Sequence, residues 1–208
     1  MKTLSAAQVV AQKHKTIPLT GLWHQTFGDM PSNFKMLLMG PPKSGKSTVG
    51  LAFLNAIAHA MNKPVLYIPA EEMSDKGLPL TVTKRCMLVN AATVLHPKMK
   101  IASTAMQLTD EASYGELSKY AAVMIDSVQA FGLSREIYDA LKYTCPNTGF
   151  IFVSQLNNKN RSGQRHIEHD VDVLCKVLKG EATVESRYIG KRVVQVFNTV
   201  GQSIKLLF

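Results

Sequence analysis

Gly40, Pro41, Pro42, Lys43, Ser44, Gly45, Lys46 and Ser47 follow the pattern GxxxxGK[ST], between an apolar run at 34–39 and an amphipathic stretch at 47–61. Few short patterns restrict a fold so tightly. Such a loop turns its backbone N–H groups inward around an anion, which demands glycine where a side chain would intrude. It also needs a helix start directly after it, so that the helix dipole adds positive potential. The flanks supply both: residues 34–39 predict a buried strand, and Leu51, Leu54, Ala58 and Met61 recur at three- and four-residue steps on the helix that follows. In a loop of this kind Lys46 reaches the β- and γ-phosphates of a nucleotide, Ser47 ligates Mg²⁺, and Thr48 lies near the α-phosphate. ATP and Mg²⁺ are the expected ligands.

Downstream, short apolar runs alternate with amphipathic stretches, the sequence form of βαβ units around a parallel sheet. Strands are predicted at 65–68, 99–102, 123–125 and 150–154, and helices at 81–90, 110–120 and 133–144. After about residue 170 the period changes. Residues 171–178, 182–186 and 193–198 alternate as strands, with turns at Lys179 and Gly180 and at Ile189 and Gly190. The expected fold class is α/β: a mostly parallel central sheet flanked by helices and ending in antiparallel β-hairpins. The chain's 208 residues suit one such domain, at 21–208, preceded by an N-terminal arm at 1–20. Ile17 and Leu19 are expected to pack that arm on a neighbouring subunit.

Composition narrows the setting. No apolar run approaches the roughly 18 residues of a membrane span, and Lys2, Gln8, Gln12, Lys13, His14 and Lys15 break any leader-like pattern at the N-terminus. A cytoplasmic chain without a membrane partner is expected. Cys86, Cys145 and Cys175 stand far apart and are expected to be reduced and packed. The formal charge of +9 favours a polyanionic partner such as nucleic acid.

Four further places carry candidate chemistry. Asp126 ends the apolar strand 123–125, at the carboxyl edge where open α/β sheets bind ligands, and is expected to orient Mg²⁺. Glu71 and Glu72 follow the strand 65–68 at the same edge. One of them is expected to hold the attacking water, Glu71 being the first choice. Gln155 ends the strand 150–154, where its amide can bond the γ-phosphate or the water and move the following loop when phosphate leaves. That loop, 157–170, carries Lys159, Arg161 and Arg165 among Asn, Ser, Gly and Gln, a composition suited to phosphate-backbone contact. His166 and His169 have no ligand pair nearby to suggest a metal site.

Taken in order, these segments resemble RecA-fold P-loop ATPases. The P-loop is followed by Ala70, Glu71, Glu72, Met73 and Ser74, by Met124, Ile125, Asp126, Ser127, Val128 and Gln129, and by Val153, Ser154, Gln155, Leu156 and Asn157. The set is similar to the core of bacterial RadA (Sms) recombination factors and to the motor domain of DnaB-type replicative helicases. Ile167, Glu168, His169, Asp170, Val171 and Asp172 resemble the segment after the DNA-contacting loop of RadA. The resemblance covers roughly residues 20–200. It implies a RecA-like motor acting on DNA, as a ring or filament of identical subunits with ATP between neighbours. Glu71 would then activate water, Gln155 would sense the γ-phosphate, and residues 157–168 would face single-stranded DNA. Ser186, Arg187, Tyr188, Ile189 and Gly190 are similar to a degenerate form of the RadA finger motif. Arg187 would match its arginine, while Glu185 occupies the lysine position and Lys191 or Arg192 stands close enough to substitute. These 208 residues hold no counterpart of RadA's zinc module and Lon-like domain or of DnaB's helical domain, and a stand-alone motor core of the size often carried by phages or mobile elements is expected.

Two other readings stay open: a KaiC-like regulatory ATPase with a protein partner, and a small-molecule P-loop kinase.

Overall fold

The computed structural model describes residues 3–73, 77–103, 111–156, 165–200 and 203–206. Its centre is an eight-stranded sheet of β1 (Lys35–Gly40), β2 (Val65–Ile68), β3 (Met99–Ile101), β4 (Ala122–Asp126), β5 (Gly149–Gln155), β6 (Val173–Leu178), β7 (Glu181–Ser186) and β8 (Gly190–Gln195). The strand order is β3-β2-β4-β5-β1-β6-β7-β8. Strands β1 to β6 run parallel, and β7 and β8 add antiparallel hairpins. A separate hairpin pairs β9 (Phe197–Val200) with β10 (Ser203–Leu206).

Period-two alternation sends each central strand's side chains to two different cores. Met36, Leu38, Tyr67, Met124, Ile151 and Val153 face one core, which is covered by α2 (Gly21–Phe27), α3 (Lys46–Met61) and α4 (Leu80–Ala92). Leu37, Met39, Ile68, Val123, Ile125, Phe150 and Phe152 face the other. That side is covered by α5 (Glu111–Leu117), α6 (Val128–Phe131), α7 (Arg135–Thr144) and α8 (Arg165–Glu168). The result is a three-layer α/β/α sandwich with antiparallel hairpins at one end. No helix among the described residues is long and apolar enough to cross a membrane.

The expected elements form, with instructive differences. The predicted helix at 133–144 forms as α7, which Ser134 caps by accepting from the Ile137 N–H, and a short helix not expected from the sequence, α6, precedes it and is closed by Gly132 with φ 71°. The second hairpin turns at 187–189, so Gly190 begins β8 rather than sitting in the turn. The arm also divides differently. Ile17 and Leu19 are 2% and 6% exposed and belong to the chain's own core, where the Ile17 N–H donates to the Met30 carbonyl. Their side chains are thus used within their own chain rather than held out for a neighbouring subunit. Short helix α1 (Ala6–Val10) buries none of its residues. Beyond it, α2 docks through Phe27 and Trp23, whose rings lie 4.4 and 5.1 Å from that of Phe53 on α3.

Lys35, at the start of β1, is 8% exposed and gives its ammonium to the Asn33 and Thr148 carbonyls. Burial lowers its pKa from 10.5 to about 8, against the opposing charge of Asp172. Between these two values the unfolded chain holds more protons than the native one, so stability rises with pH across that window. At neutral pH the buried charge costs roughly 3 kcal/mol, at about 1.4 kcal/mol per pKa unit. Urea midpoints measured from pH 7.5 to 10.5 should show this rise in the wild type and lack it in Lys35→Met. Parallel curves would remove the assignment.

Candidate active site

Every parallel strand of the sheet points its carboxyl end to one edge, and there β1, β2, β4 and β5 deliver their last residues together. The loop after β1 carries Lys43 at φ 59° and Gly45 at φ 93°, the left-handed turns that coil its backbone before α3 begins at Lys46. Gly40 admits no side chain. A Cβ there would lie 2.3 Å from the Val177 carbonyl and 2.7 Å from Ser44 Oγ. Lys46 is 7% exposed, and its Nζ donates to the Pro41 carbonyl at 2.8 Å within its own loop. Burial lowers its pKa, opposed by the nearby charges of Asp126 and Glu71.

A cavity of about 900 Å³ opens over this loop. Its lining includes Pro42, Lys43, Ser44, Gly45, Lys46, Ser47 and Thr48, with Glu71, Asp126 and Gln155 from the neighbouring strand ends. The volume lies within the range of nucleotide-sized sites. Ser44 Oγ is buried without a hydrogen-bond partner among the described residues, as expected of a hydroxyl suited to an anion. These features fit a nucleoside triphosphate, and the Ser47 hydroxyl bonded to the Asp126 carboxylate fits Mg²⁺. Bound there, the ion would draw charge from the phosphate oxygens.

Asp126 is 6% exposed. Burial raises its pKa, while hydrogen bonds from Ser47 and Tyr67 and the charge of Arg85 hold it down in part. Glu71 and Glu72, adjacent in sequence, have separate environments. Glu71 is exposed to the cavity and accepts from the Gln155 amide on both oxygens, at 2.9 and 3.0 Å, and its own N–H donates to the Asp126 carbonyl at 3.0 Å. Glu72 is clamped by Arg85 through bonds of 2.8 and 3.1 Å. Burial alone would raise its pKa, but Arg85 more than offsets this and leaves it below the ordinary carboxylate value. Both line the cavity, and of the two Glu71 is the more exposed.

Gln155 is brought to Glu71 by the strand order. The register sets it against Gly40 on one side, while Asp126 pairs with Val153 on the other, so β5 stands between the loop after β1 and the strand that ends in Asp126. Behind it, Gln129 donates to Ser154 Oγ at 2.8 Å and ties the start of α6 to β5.

Arg187 lies elsewhere. It sits in the β7–β8 turn at the opposite edge of the sheet, 3.5 Å from Asp172 and donating to the His169 carbonyl at 3.1 Å. It does not line the nucleotide cavity of its own chain. Lys191 pairs with Glu185 on the adjacent strand, and Arg192 donates to the Lys191 carbonyl. Of the basic segment, Lys159 and Arg161 lie outside the described residues. Arg165 begins α8, and the position of its side chain is likewise not described.

Glu72, Arg85, Leu88, Lys179, Gly180 and Gln195 also line the cavity, and of these the sequence alone singles out only Glu72 as a site candidate. A signal exists for Lys179 and Gly180. They form the turn after a strand parallel to β1, which places them at the same edge as the phosphate loop.

The order of strands and the geometry at their ends define a RecA-like P-loop fold. Its likeness to a solved structure points the same way: a KaiC-like protein from the hyperthermophilic archaeon Pyrococcus horikoshii OT3 aligns with a TM-score of 0.59 at 15% identity, over 93% of this chain and 98% of that one. No protein-family model matches the sequence, and none of the curated proteins does.

Proposed function

We propose that this chain hydrolyses ATP with Mg²⁺ and uses the cycle to act on single-stranded DNA, as a cytoplasmic homo-oligomer with ATP at the boundary between subunits. The observation that carries the hydrolase reading is the bonded pair Glu71 and Gln155, standing between the phosphate loop and Asp126. A carboxylate so placed can orient a water and accept its proton, and Gln155 holds it in position. Loss of the γ-phosphate would be felt at Gln155, two residues before the basic segment begins. Arg187, at the far edge of its own sheet, would serve only the nucleotide of a neighbouring copy. DNA as the partner is supported by the charge of +9 and by Lys159, Arg161 and Arg165 in one polar segment.

A second reading, a regulatory ATPase whose partner is a protein, is favoured by the KaiC-like structural neighbour. One experiment separates the two. Binding to a labelled oligonucleotide is measured at several salt concentrations, with ATP and with a non-hydrolysable analogue, and ATP turnover is followed with and without the strand. Replacing Lys159, Arg161 and Arg165 by Ala should weaken binding on all sequences alike. The slope of log K against log salt should fall by roughly 0.7 per residue, and DNA stimulation should vanish while basal turnover holds. A triple variant stimulated like the wild type places the DNA site elsewhere. A wild type that binds no DNA in either nucleotide state overturns the DNA reading in favour of the protein partner.

A further inference from the structure

Beneath the metal-binding aspartate lies a chain of hydrogen bonds that neither the phosphate loop nor the glutamate pair requires. Arg85 sits on the inner face of α4, between the buried Val82 and Val89. Its Nη1 donates both to Glu72 and to the Tyr67 hydroxyl, the latter at 2.6 Å. Tyr67 is fully buried on β2, and its hydroxyl donates to Asp126 Oδ2 at 3.1 Å. The direction of this chain is fixed. An arginine can only donate, so the tyrosine oxygen accepts from it, and the single phenolic proton goes to the aspartate.

We propose that Arg85 and Tyr67 are positioning residues for the nucleotide's metal ion, and this rests on the Mg²⁺–ATP reading above. By engaging Oδ2 from below, Tyr67 fixes the rotation of the Asp126 carboxylate and leaves its other oxygen, with Ser47, for the ion. Outer partners of metal-binding carboxylates typically change metal affinity by about 10–100-fold when removed. Glu72 completes the arrangement. A guanidinium this close to Asp126 would otherwise neutralise the aspartate and compete with a divalent cation. The fork of bonds from Arg85 to Glu72 offsets that charge and lowers the positive potential a cation would meet beside the aspartate. The second glutamate of the pair thus acts through Arg85 on metal binding, while the first faces water.

The test measures metal affinity rather than turnover. Binding of a fluorescent non-hydrolysable ATP analogue is titrated with Mg²⁺, and again with Mn²⁺ followed by electron paramagnetic resonance, with a parallel series in excess chelator. Tyr67→Phe removes one hydroxyl and keeps the ring in the core. It should raise the half-saturating metal concentration about tenfold or more, with metal-free analogue binding unchanged. Glu72→Gln, at a partly exposed position, should shift metal dependence in the same direction by leaving Arg85 uncompensated beside Asp126. Arg85→Lys, which keeps the charge but loses the fork, should not restore wild-type affinity. A wild-type metal curve in Tyr67→Phe overturns the proposal, as does a loss of thermal stability with metal dependence unchanged. If Tyr67→Phe does not fold, a wild-type metal curve in Glu72→Gln overturns it equally. Failure of the wild type to bind the analogue at all is instead a failure of the proposed function, and it is read before any variant is compared.

Discussion

Lys46→Ala is expected to abolish ATP hydrolysis and to weaken ATP binding, with a fall in turnover of at least roughly a hundredfold. Lys46 is 7% exposed at the base of the cavity, and among the described residues its ammonium has the Pro41 carbonyl as hydrogen-bond partner. Bound phosphates would draw on a partly desolvated charge, worth more there than in water. The variant should fold normally, because the bond it loses lies inside the loop and α3 keeps its apolar face. Phosphate release and fluorescent-nucleotide binding, with circular dichroism as the folding control, measure the outcome. Turnover at the wild-type rate would end the phosphate-loop assignment.

Glu71→Gln should retain nucleotide binding and lose most hydrolysis, by about 10²–10⁴, the usual cost of removing a general base. The amide oxygen can still accept from Gln155, so the geometry at the strand ends survives while the capacity to take a proton does not. The informative comparison is Glu72→Gln. Because both oxygens of Glu72 are engaged by Arg85, its loss should be smaller and should appear in metal dependence. A larger loss from Glu72→Gln than from Glu71→Gln would exchange the two roles. Unchanged single-turnover rates in both would leave the chain without an assigned base.

The sequence showed those parts of the site that are local along the chain. The phosphate loop announces itself because eight consecutive residues must satisfy one backbone geometry, and Asp126 because it ends a three-residue apolar run. Glu71 and Glu72 could be placed at the sheet edge but only ranked against each other. What separates them is Gln155 and Arg85, partners set by strand order and by the docking of α4. Arg85 carried no signal, since an arginine in a helix of mixed polarity reads as a solvated cation until Val82 and Val89 show which face is buried. Ile17 and Leu19 misled for the opposite reason. Two apolar residues in polar surroundings have no period, so nothing local tells whether they cover their own core or a neighbour's.

The position of β1 has a consequence for how the chain folds. The phosphate loop is synthesised before both strands that flank the one supporting it. Lys35 pairs with Phe150, and Met36 with Val173. Until the chain extends to β5, the first strand has no partner on either edge and remains an apolar segment open to wrong pairing. Loop closure over that span comes before the contacts that reward it, which makes such a topology slow to fold. A nascent fragment ending before Phe150 would carry the whole phosphate-binding motif and still lack the scaffold to hold a nucleotide. Ligand therefore cannot guide the early steps, and it stabilises only a sheet whose middle is already closed.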